Sequence, residues 1–339
     1  MSRCSLRAPP MTERVPLTVA VASTPAGPSG RPRARAVDVL YAGVLPLVRL
    51  GEGSMGIDLY LQGFRRTKLT TREGDVVSLL EAPGSGPCPA LVLIHGLGGN
   101  AVSYAALLKQ LLPMAQRVIA IDLPNHGKSS QIPSHRLGQE ACMRAVTEVL
   151  NTRLQPDGQA AIIGHSLGGW VAMRYALNEP QRVARLLLQA PDGAPWAASD
   201  IEPLRAQMLG AELGEMLSLG GKMWSQEPLR ARLMAPFMGA IFAQPAMQGV
   251  VRSDLLQPTL ALDELGHLAP QVSLIFGQDD QFRSPTRDAY LERALPASRQ
   301  VYTLPIGHGA IVDGPPCIVS LIGHILASRA DEPQPDLPR

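Results

Sequence analysis

The chain has 339 residues, of which 45% are apolar and 18% are charged, and its formal charge of +2 is close to balance. A chain of this length can bury a large core, as one domain with an insertion or as two small domains. The balanced charge gives no support for a nucleic-acid partner, the four cysteines lack zinc-binding spacing, and no run reaches the about 18 apolar residues of a membrane span.

The first 35 residues are rich in Pro, Arg, Ser and Ala, which predicts a disordered or targeting segment. Within it, VPLTVAVA (15–22) resembles a signal peptide, but this apolar core is short and an acidic residue precedes it. We therefore expect a cytoplasmic protein, with secretion or membrane association as the alternatives. Residues 36–65 predict an amphipathic helical extension, which either packs on the body of the protein, as we favour, or lies on a membrane surface.

After a predicted β-hairpin (RTKLTT and DVVSLLEA), short apolar runs alternate with longer helical patterns. The six runs have no polar alternation, which is typical of strands buried on both faces of a parallel sheet. The strand runs are ALVLIH (90–95), RVIAID (117–122), AAIIGH (160–165), ARLLLQA (184–190), QVSLIF (271–276) and QVYTLP (300–305). The helical patterns lie near 101–113, 138–154, 167–179, 285–295 and 315–328. This order predicts an α/β fold with a mostly parallel, doubly wound sheet, whose core spans 66–196 and 258–329.

One interval, 197–257, carries helical patterns but no strand signal, and it predicts a helical cap inserted between two strands. It holds six of the twelve methionines. These methionines either pack between helices or form a pliable apolar wall around the acyl part of a substrate. On the second interpretation, Met223 and Met238 are candidate substrate contacts. Residues 330–339 are predicted to be a tail.

Residues 160–172 read AAIIGHSLGGWVA, in which a serine between glycines interrupts an apolar run. The motif G-x-S-x-G falls between a predicted strand and a predicted helix. A serine at such a sharp turn exposes its hydroxyl, and only small neighbours avoid collision with the strand and the helix. The helix that follows directs its free N–H groups toward the reacting centre. We therefore interpret Ser166 as a nucleophile.

A nucleophilic serine needs a general base and a carboxylate that orients this base. Asp279 and Asp280 come directly after a predicted strand, and His308 follows the last predicted strand in a glycine-flanked loop. The carboxyl ends of strands in an open α/β sheet meet at the edge where active sites form. Ser166, Asp280 and His308 stand in the chain order expected for this architecture, and they are the candidate catalytic residues.

A tetrahedral intermediate also needs hydrogen-bond donors for its oxyanion. LIHGLGGN (93–100) predicts a strand followed by a glycine turn. The backbone N–H of Leu97 in this turn can act together with that of Leu167, the residue after the candidate nucleophile. A plain glycine turn is the alternative, but beside a complete triad we favour an oxyanion hole.

Together these motifs resemble the α/β-hydrolase superfamily, in its branch of bacterial serine esterases and lipases with a G-H-S-x-G-G elbow. The matching pieces lie within residues 66 to 328 and read HGLGG, DLPNHGKSS, GHSLGG, FGQDD and GHGAIVDGPP. The resemblance implies that the acid follows a strand-end glycine by three positions, which selects Asp280 over Asp279. The chain departs from the family pattern at Asn125, where glycine is usual. Asparagine also tolerates a left-handed backbone, so we expect the turn to persist.

The resemblance therefore implies an α/β-hydrolase fold with a cap, and a serine hydrolase that cleaves carboxylic esters as an esterase or lipase-like enzyme. The expected substrate is a small-molecule ester with an apolar acyl part, and neither a metal nor an organic cofactor is expected. The same triad serves C–C bond hydrolases, thioesterases, acyltransferases, amidases and perhydrolases, which stay open as alternatives. A non-catalytic scaffold is a further alternative, although such proteins usually lose the nucleophile or the histidine.

Overall fold

The structure is a computed structural model that describes residues 36–296 and 299–328. The expectations for the segment 1–35 and for the tail 330–339 concern residues outside this described part. Among the described residues, no helix combines the length and the apolarity that crossing a bilayer requires.

One eight-stranded sheet lies at the centre of the described part. Its strands are β1 (Arg65–Thr70), β2 (Val76–Pro83), β3 (Leu91–Ile94), β4 (Arg117–Ile121), β5 (Ala160–His165), β6 (Val183–Gln189), β7 (Gln271–Gly277) and β8 (Gln300–Leu304). They lie in the order β1-β2-β4-β3-β5-β6-β7-β8. The β1–β2 and β2–β4 pairs are antiparallel, and every pair from β4 to β8 is parallel. The predicted mostly parallel α/β sheet is thereby confirmed.

Helices cover both faces of this sheet. The α-helices of the described part are α1 (Ala36–Leu61), α2 (Ala105–Leu111), α3 (Gln139–Arg153), α4 (Leu167–Asn178), α5 (Ala198–Gly210), α6 (Leu213–Met223), α7 (Pro228–Phe242), α8 (Pro245–Arg252), α9 (Leu262–Gly266), α10 (Pro285–Ala294) and α11 (Pro316–Ala327). In β3, Leu91 and Leu93 belong to the apolar cluster that includes α2 and α11, whereas Val92 and Ile94 belong to the cluster that includes α3 and α4. Because both sheet faces are buried at the central strands, the sequences of β3 to β7 carry no regular polar alternation.

The interval 197–257, all of it described, contains α5 to α8 and one 3₁₀ helix but no strand. These helices connect β6 to β7, and α6 packs against α7. In chain order they therefore lie between β6, which is followed by Asp192, and β7, which is followed by Asp280. We call α5 to α8 the helical insertion.

Helix α1 occupies most of the segment 36–65, and β1 begins at Arg65. It has Pro46 in its interior and four glycines, which makes its intrinsic helix propensity low. Buried side chains near its two ends, Val37, Tyr41 and Leu59, attach it to the rest of the protein. Tertiary packing therefore stabilises this helix.

Candidate active site

Ser166 lies at the turn from β5 into α4, with φ of 51° and ψ of −119°. A non-glycine residue in such a conformation costs about 1–3 kcal/mol, and the surrounding structure must hold it there. The Ser166 N–H donates to the Gln189 carbonyl, and the Ser166 carbonyl accepts from the amides of Gly169 and Asp192. The serine backbone is thus fixed between α4 and the end of β6.

The glycines around Ser166 permit close contacts between backbone segments. A Cβ atom added to Gly164 would lie 2.6 Å from the Gly168 carbonyl oxygen. A Cβ atom added to Gly168 would lie 2.2 Å from the Ile94 carbonyl oxygen, and these neighbours are backbone atoms that cannot move aside. The predicted requirement for small residues at this turn therefore has a specific steric cause.

His308 and Asp280 form a buried pair at the same sheet edge. The distance from His308 Nδ1 to Asp280 Oδ2 is 2.8 Å, and the Asp280 side chain is only 1% exposed. The other Asp280 oxygen accepts a hydrogen bond from the Phe282 amide at 2.8 Å. Asp279 does not take part in this pair, and its backbone carbonyl accepts from the hydroxyl of Ser225.

This pairing favours the charged forms of both partners. Burial lowers the pKa of His308, but the Asp280 carboxylate raises it by more, so the pKa lies above the ordinary histidine value. Burial conversely raises the pKa of Asp280, but His308 and the Phe282 amide lower it by more, and the net shift is downward. The carboxylate therefore stabilises an imidazolium at His308.

The hydroxyl of Ser166 donates to Asp192 Oδ2 at 3.4 Å, and the described residues include no Ser166–His308 hydrogen bond. Ser166 and His308 nevertheless line one cavity. Asp192 follows the end of β6, beside Ala190 with its positive φ of 44°. Sequence analysis did not identify Asp192, although the rule that sites form at strand ends could have found it.

Asp192 is itself held by a cation. Its Oδ1 accepts from Arg287 Nη2 at 2.8 Å, and both side chains are largely buried. The Arg287 guanidinium lies over the Trp196 ring, 3.6 Å from its centroid. The carboxylate of Asp192 also contributes to the raised pKa of His308, whereas Arg287 acts in the opposite direction. The site therefore contains two carboxylates that influence one histidine.

The candidate oxyanion donors lie beside Ser166. A Cβ atom added to Gly96 would be 3.2 Å from the Ser166 Cβ, so the glycine turn passes directly next to the serine. Among the described residues, no acceptor pairs with the Leu97 amide. Leu167 is the first residue of α4, and amides in the first turn of a helix have no intrahelical acceptor. Both amides are therefore available to a ligand.

A second histidine supports the position of His308. His165 Nε2 contacts the His308 carbonyl oxygen at 3.1 Å, and its Nδ1 contacts the Tyr104 hydroxyl at 2.6 Å. That hydroxyl accepts from the Gly96 amide. Burial lowers the pKa of His165 to about 3, which keeps the ring neutral. This chain of hydrogen bonds connects the glycine turn to the His308 loop.

A cavity of about 670 Å³ opens from Ser166 and His308. Its volume lies within the range of ligand-binding pockets, and most of its lining is apolar. Met223 and Met238 of the helical insertion line it, as do residues of α1.

Asn125, in the turn where the family pattern has glycine, has a φ of 63°, so the expected left-handed turn is present.

A family model described as alpha/beta hydrolase fold matches residues 89–315. Among curated proteins, the chain is similar to pimeloyl-(acyl-carrier protein) methyl ester esterase of Nitrosomonas europaea. The two are 29% identical over 257 residues, which cover 71% of this chain and 96% of that protein.

Among solved structures, one described as a membrane phospholipase A and bacterial virulence factor has a TM-score of 0.65 at 21% identity. The alignment covers 85% of this chain and 94% of that one. A meta-cleavage product hydrolase from Pseudomonas fluorescens has a TM-score of 0.63 at 16% identity, with 76% and 96% covered. At these identities the two structures show a shared fold.

Proposed function

Because this chain belongs to the α/β-hydrolase fold family, we propose that it is a serine hydrolase that cleaves carboxylic esters through an acyl-enzyme intermediate. The observation that carries this proposal is the arrangement at one sheet edge. A serine in a strained turn faces the same apolar cavity as a histidine whose Nδ1 is paired with a buried carboxylate. The similarity to a methyl ester esterase supports an ester as the substrate.

In the proposed first step, Ser166 attacks the ester carbonyl while His308 accepts its proton. The Nδ1–H of His308 donates to Asp280, which leaves Nε2 unprotonated as the acceptor. In this step the hydroxyl first turns from Asp192 toward His308 by rotation about χ1. The resulting imidazolium is stabilised by the Asp280 carboxylate.

The developing oxyanion receives hydrogen bonds from the amides of Leu97 and Leu167. When the intermediate collapses, the C–O bond to the alcohol breaks and His308 returns the proton to the leaving oxygen. A water molecule then gives its proton to His308 and attacks the acyl-enzyme. Collapse of the second intermediate releases the acid and restores the Ser166 hydroxyl.

The acyl group would lie in the cavity against the helical insertion. Met223 and Met238 line this space, and flexible thioether side chains adapt to irregular hydrocarbon shapes. We therefore assign an apolar acyl part to the substrate, with these two methionines among its contacts. On this assignment the helical insertion acts as the cap of the active site.

The reaction subclass has alternatives that use the same residues. C–C bond hydrolases, thioesterases, acyltransferases, amidases and perhydrolases share this triad. A scaffold protein without catalytic activity is a further alternative. The test combines a fluorophosphonate with a substrate panel of p-nitrophenyl esters, thioesters and vinylogous diketones. We expect stoichiometric labelling at Ser166 and the highest kcat/KM on esters. Labelling at another serine, or no turnover of any ester, would contradict the proposal.

We extend the proposal to contact with a lipid surface through the outward face of α1. Val39, Leu50 and Ile57, which fall on one side of the helix at 100° per residue, are 64%, 70% and 65% exposed. An exposed apolar helix face can insert at the boundary between the headgroups and the acyl chains of a lipid membrane. Cosedimentation with phosphatidylglycerol vesicles tests this contact. Leu50→Glu together with Ile57→Glu should reduce the bound fraction, and unchanged binding would contradict it.

A further inference from the structure

We propose that the inner face of α1 is the distal wall of the substrate cavity, and that it accommodates the far part of a long, unbranched acyl chain. This inference rests on the proposed ester hydrolase function and names the substrate class of that site. Helix α1 lies entirely before residues 89–315, the part of the chain that matches the family model. The wall is therefore a feature that family membership does not supply.

The residues of α1 that line the cavity lie on one face of the helix. They are Leu47, Val48, Gly51, Glu52, Met55 and Asp58. At 100° per residue, these positions fall within an arc of about 140°, opposite the exposed Leu50 and Ile57. One side of α1 therefore faces solvent, and the other side faces the cavity that Ser166 also lines.

The N-terminal half of α1 is attached to the helical insertion. The Tyr41 hydroxyl donates to the Ala211 carbonyl at 2.6 Å. The Tyr41 ring also packs directly on Gly239 of α7, where an added Cβ would lie 2.0 Å from the ring. Helix α7 lines the same cavity with Phe237 and Met238. Helices α1 and α7 therefore border the same cavity, and an acyl chain that extends from Ser166 would lie along both of them.

The C-terminal half of α1 is attached to the core beside the glycine turn. Glu52 Oε1 accepts from Asn100 Nδ2 at 2.6 Å, and Asp58 Oδ2 pairs with Lys109 Nζ at 2.6 Å. Asn100 also caps the 3₁₀ helix that follows the glycine turn, through a bond from the Ser103 amide. Because both carboxylates have partners, the wall presents mainly aliphatic surface to a ligand.

Two glycines of α1 provide a matched pair for the experiment. Gly51 lines the cavity and Gly53 does not, and an added Cβ would meet no atom within 4 Å at either position. They are 200° apart around the helix by its ideal geometry, so a large side chain at Gly53 points away from the cavity. The same substitution at either site changes the helix propensity equally. The two variants differ in whether the new side chain enters the cavity.

The test measures kcat/KM for p-nitrophenyl acetate, octanoate and palmitate in wild type, Gly51→Trp and Gly53→Trp. We expect Gly51→Trp to lower the palmitate-to-acetate ratio by about ten-fold or more, because blocking an apolar pocket discriminates at this level. Gly53→Trp should keep the wild-type ratio. An unchanged ratio in folded Gly51→Trp, or an equal fall in Gly53→Trp, would overturn the inference.

A second experiment does not depend on whether the Gly51→Trp variant folds. Gly51→Cys is folded first and then modified with hexyl methanethiosulfonate, with identically treated wild type as the control for the four native cysteines. Modification should weaken the binding of a fluorescent long-chain fatty acid only in the variant. This binding readout needs no turnover, so a failure of the ester hydrolase proposal would be distinguishable from a failure of the wall.

Discussion

Replacing Asp280 by asparagine tests whether the buried carboxylate organises His308, the proposed catalytic base. In the native site, Oδ2 accepts from His308 Nδ1 at 2.8 Å and Oδ1 accepts from the Phe282 amide at 2.8 Å. Asparagine can keep one acceptor only. If its NH₂ group faces His308, the ring must present Nδ1 as an acceptor and carry its proton on Nε2, where it cannot act as the base.

The expected loss in kcat is about 10⁴-fold, the size found when a triad aspartate becomes asparagine. At 1.36 kcal/mol per factor of ten, this corresponds to about 5.4 kcal/mol of lost transition-state stabilisation. The pH profile should change as well. The base works only when neutral, so activity falls as the pH drops through the pKa of His308. Without Asp280, burial still lowers this pKa while the main raising interaction is gone, and the acid limb should move to lower pH.

The assay is the pH dependence of kcat/KM on a short p-nitrophenyl ester, with Asp279→Asn as the matched control. Asp279 precedes Asp280 by one residue, and its backbone carbonyl accepts from the hydroxyl of Ser225, in the loop between α6 and α7. Its variant should retain wild-type turnover and the wild-type acid limb. Comparable losses in both variants, or an Asp280→Asn enzyme within ten-fold of wild type, would refute the reasoning.

Further predictions concern the serine, its glycine neighbour, the second carboxylate and the cavity wall. Ser166→Ala should lower kcat by about 10⁶-fold with unchanged circular dichroism, because the triad acts as a unit; retained fluorophosphonate labelling would argue against it. Gly168→Ala should lower the free energy of unfolding by about 1–3 kcal/mol in urea titrations, since its Cβ would lie 2.2 Å from a backbone oxygen. Asp192→Asn should move the acid limb of kcat/KM to lower pH, because the Asp192 carboxylate contributes to the raised pKa of His308 and Arg287 would then act uncompensated; an unmoved limb would remove Asp192 from the titration. Met238→Gln should lower the long-ester to short-ester kcat/KM ratio by about 5-fold or more, and an unchanged ratio in the folded variant would make Met238 a packing residue.

The turn at Ser166 was predictable because its cause is local. A buried strand, a serine between glycines and the helix that follows lie consecutively within residues 160–178, and backbone sterics allow few arrangements of such a segment. The sheet was predictable for a similar reason, since burial on both faces leaves continuous apolar runs. Strand ends then directed attention to Asp280 and His308, which the structure brings to 2.8 Å of each other.

Other features arise only when distant segments meet. Asp192 has no motif around it, and its position beside Ser166 depends on how β6 lies next to β5. The inner face of α1 could not be assigned, because periodicity reports that a helix has two faces but not which element each one contacts. Local sequence constrains backbone conformation and burial, whereas the crossing of α1 over the cavity depends on contacts with residues such as Asn100 and Gly239, far away in the chain.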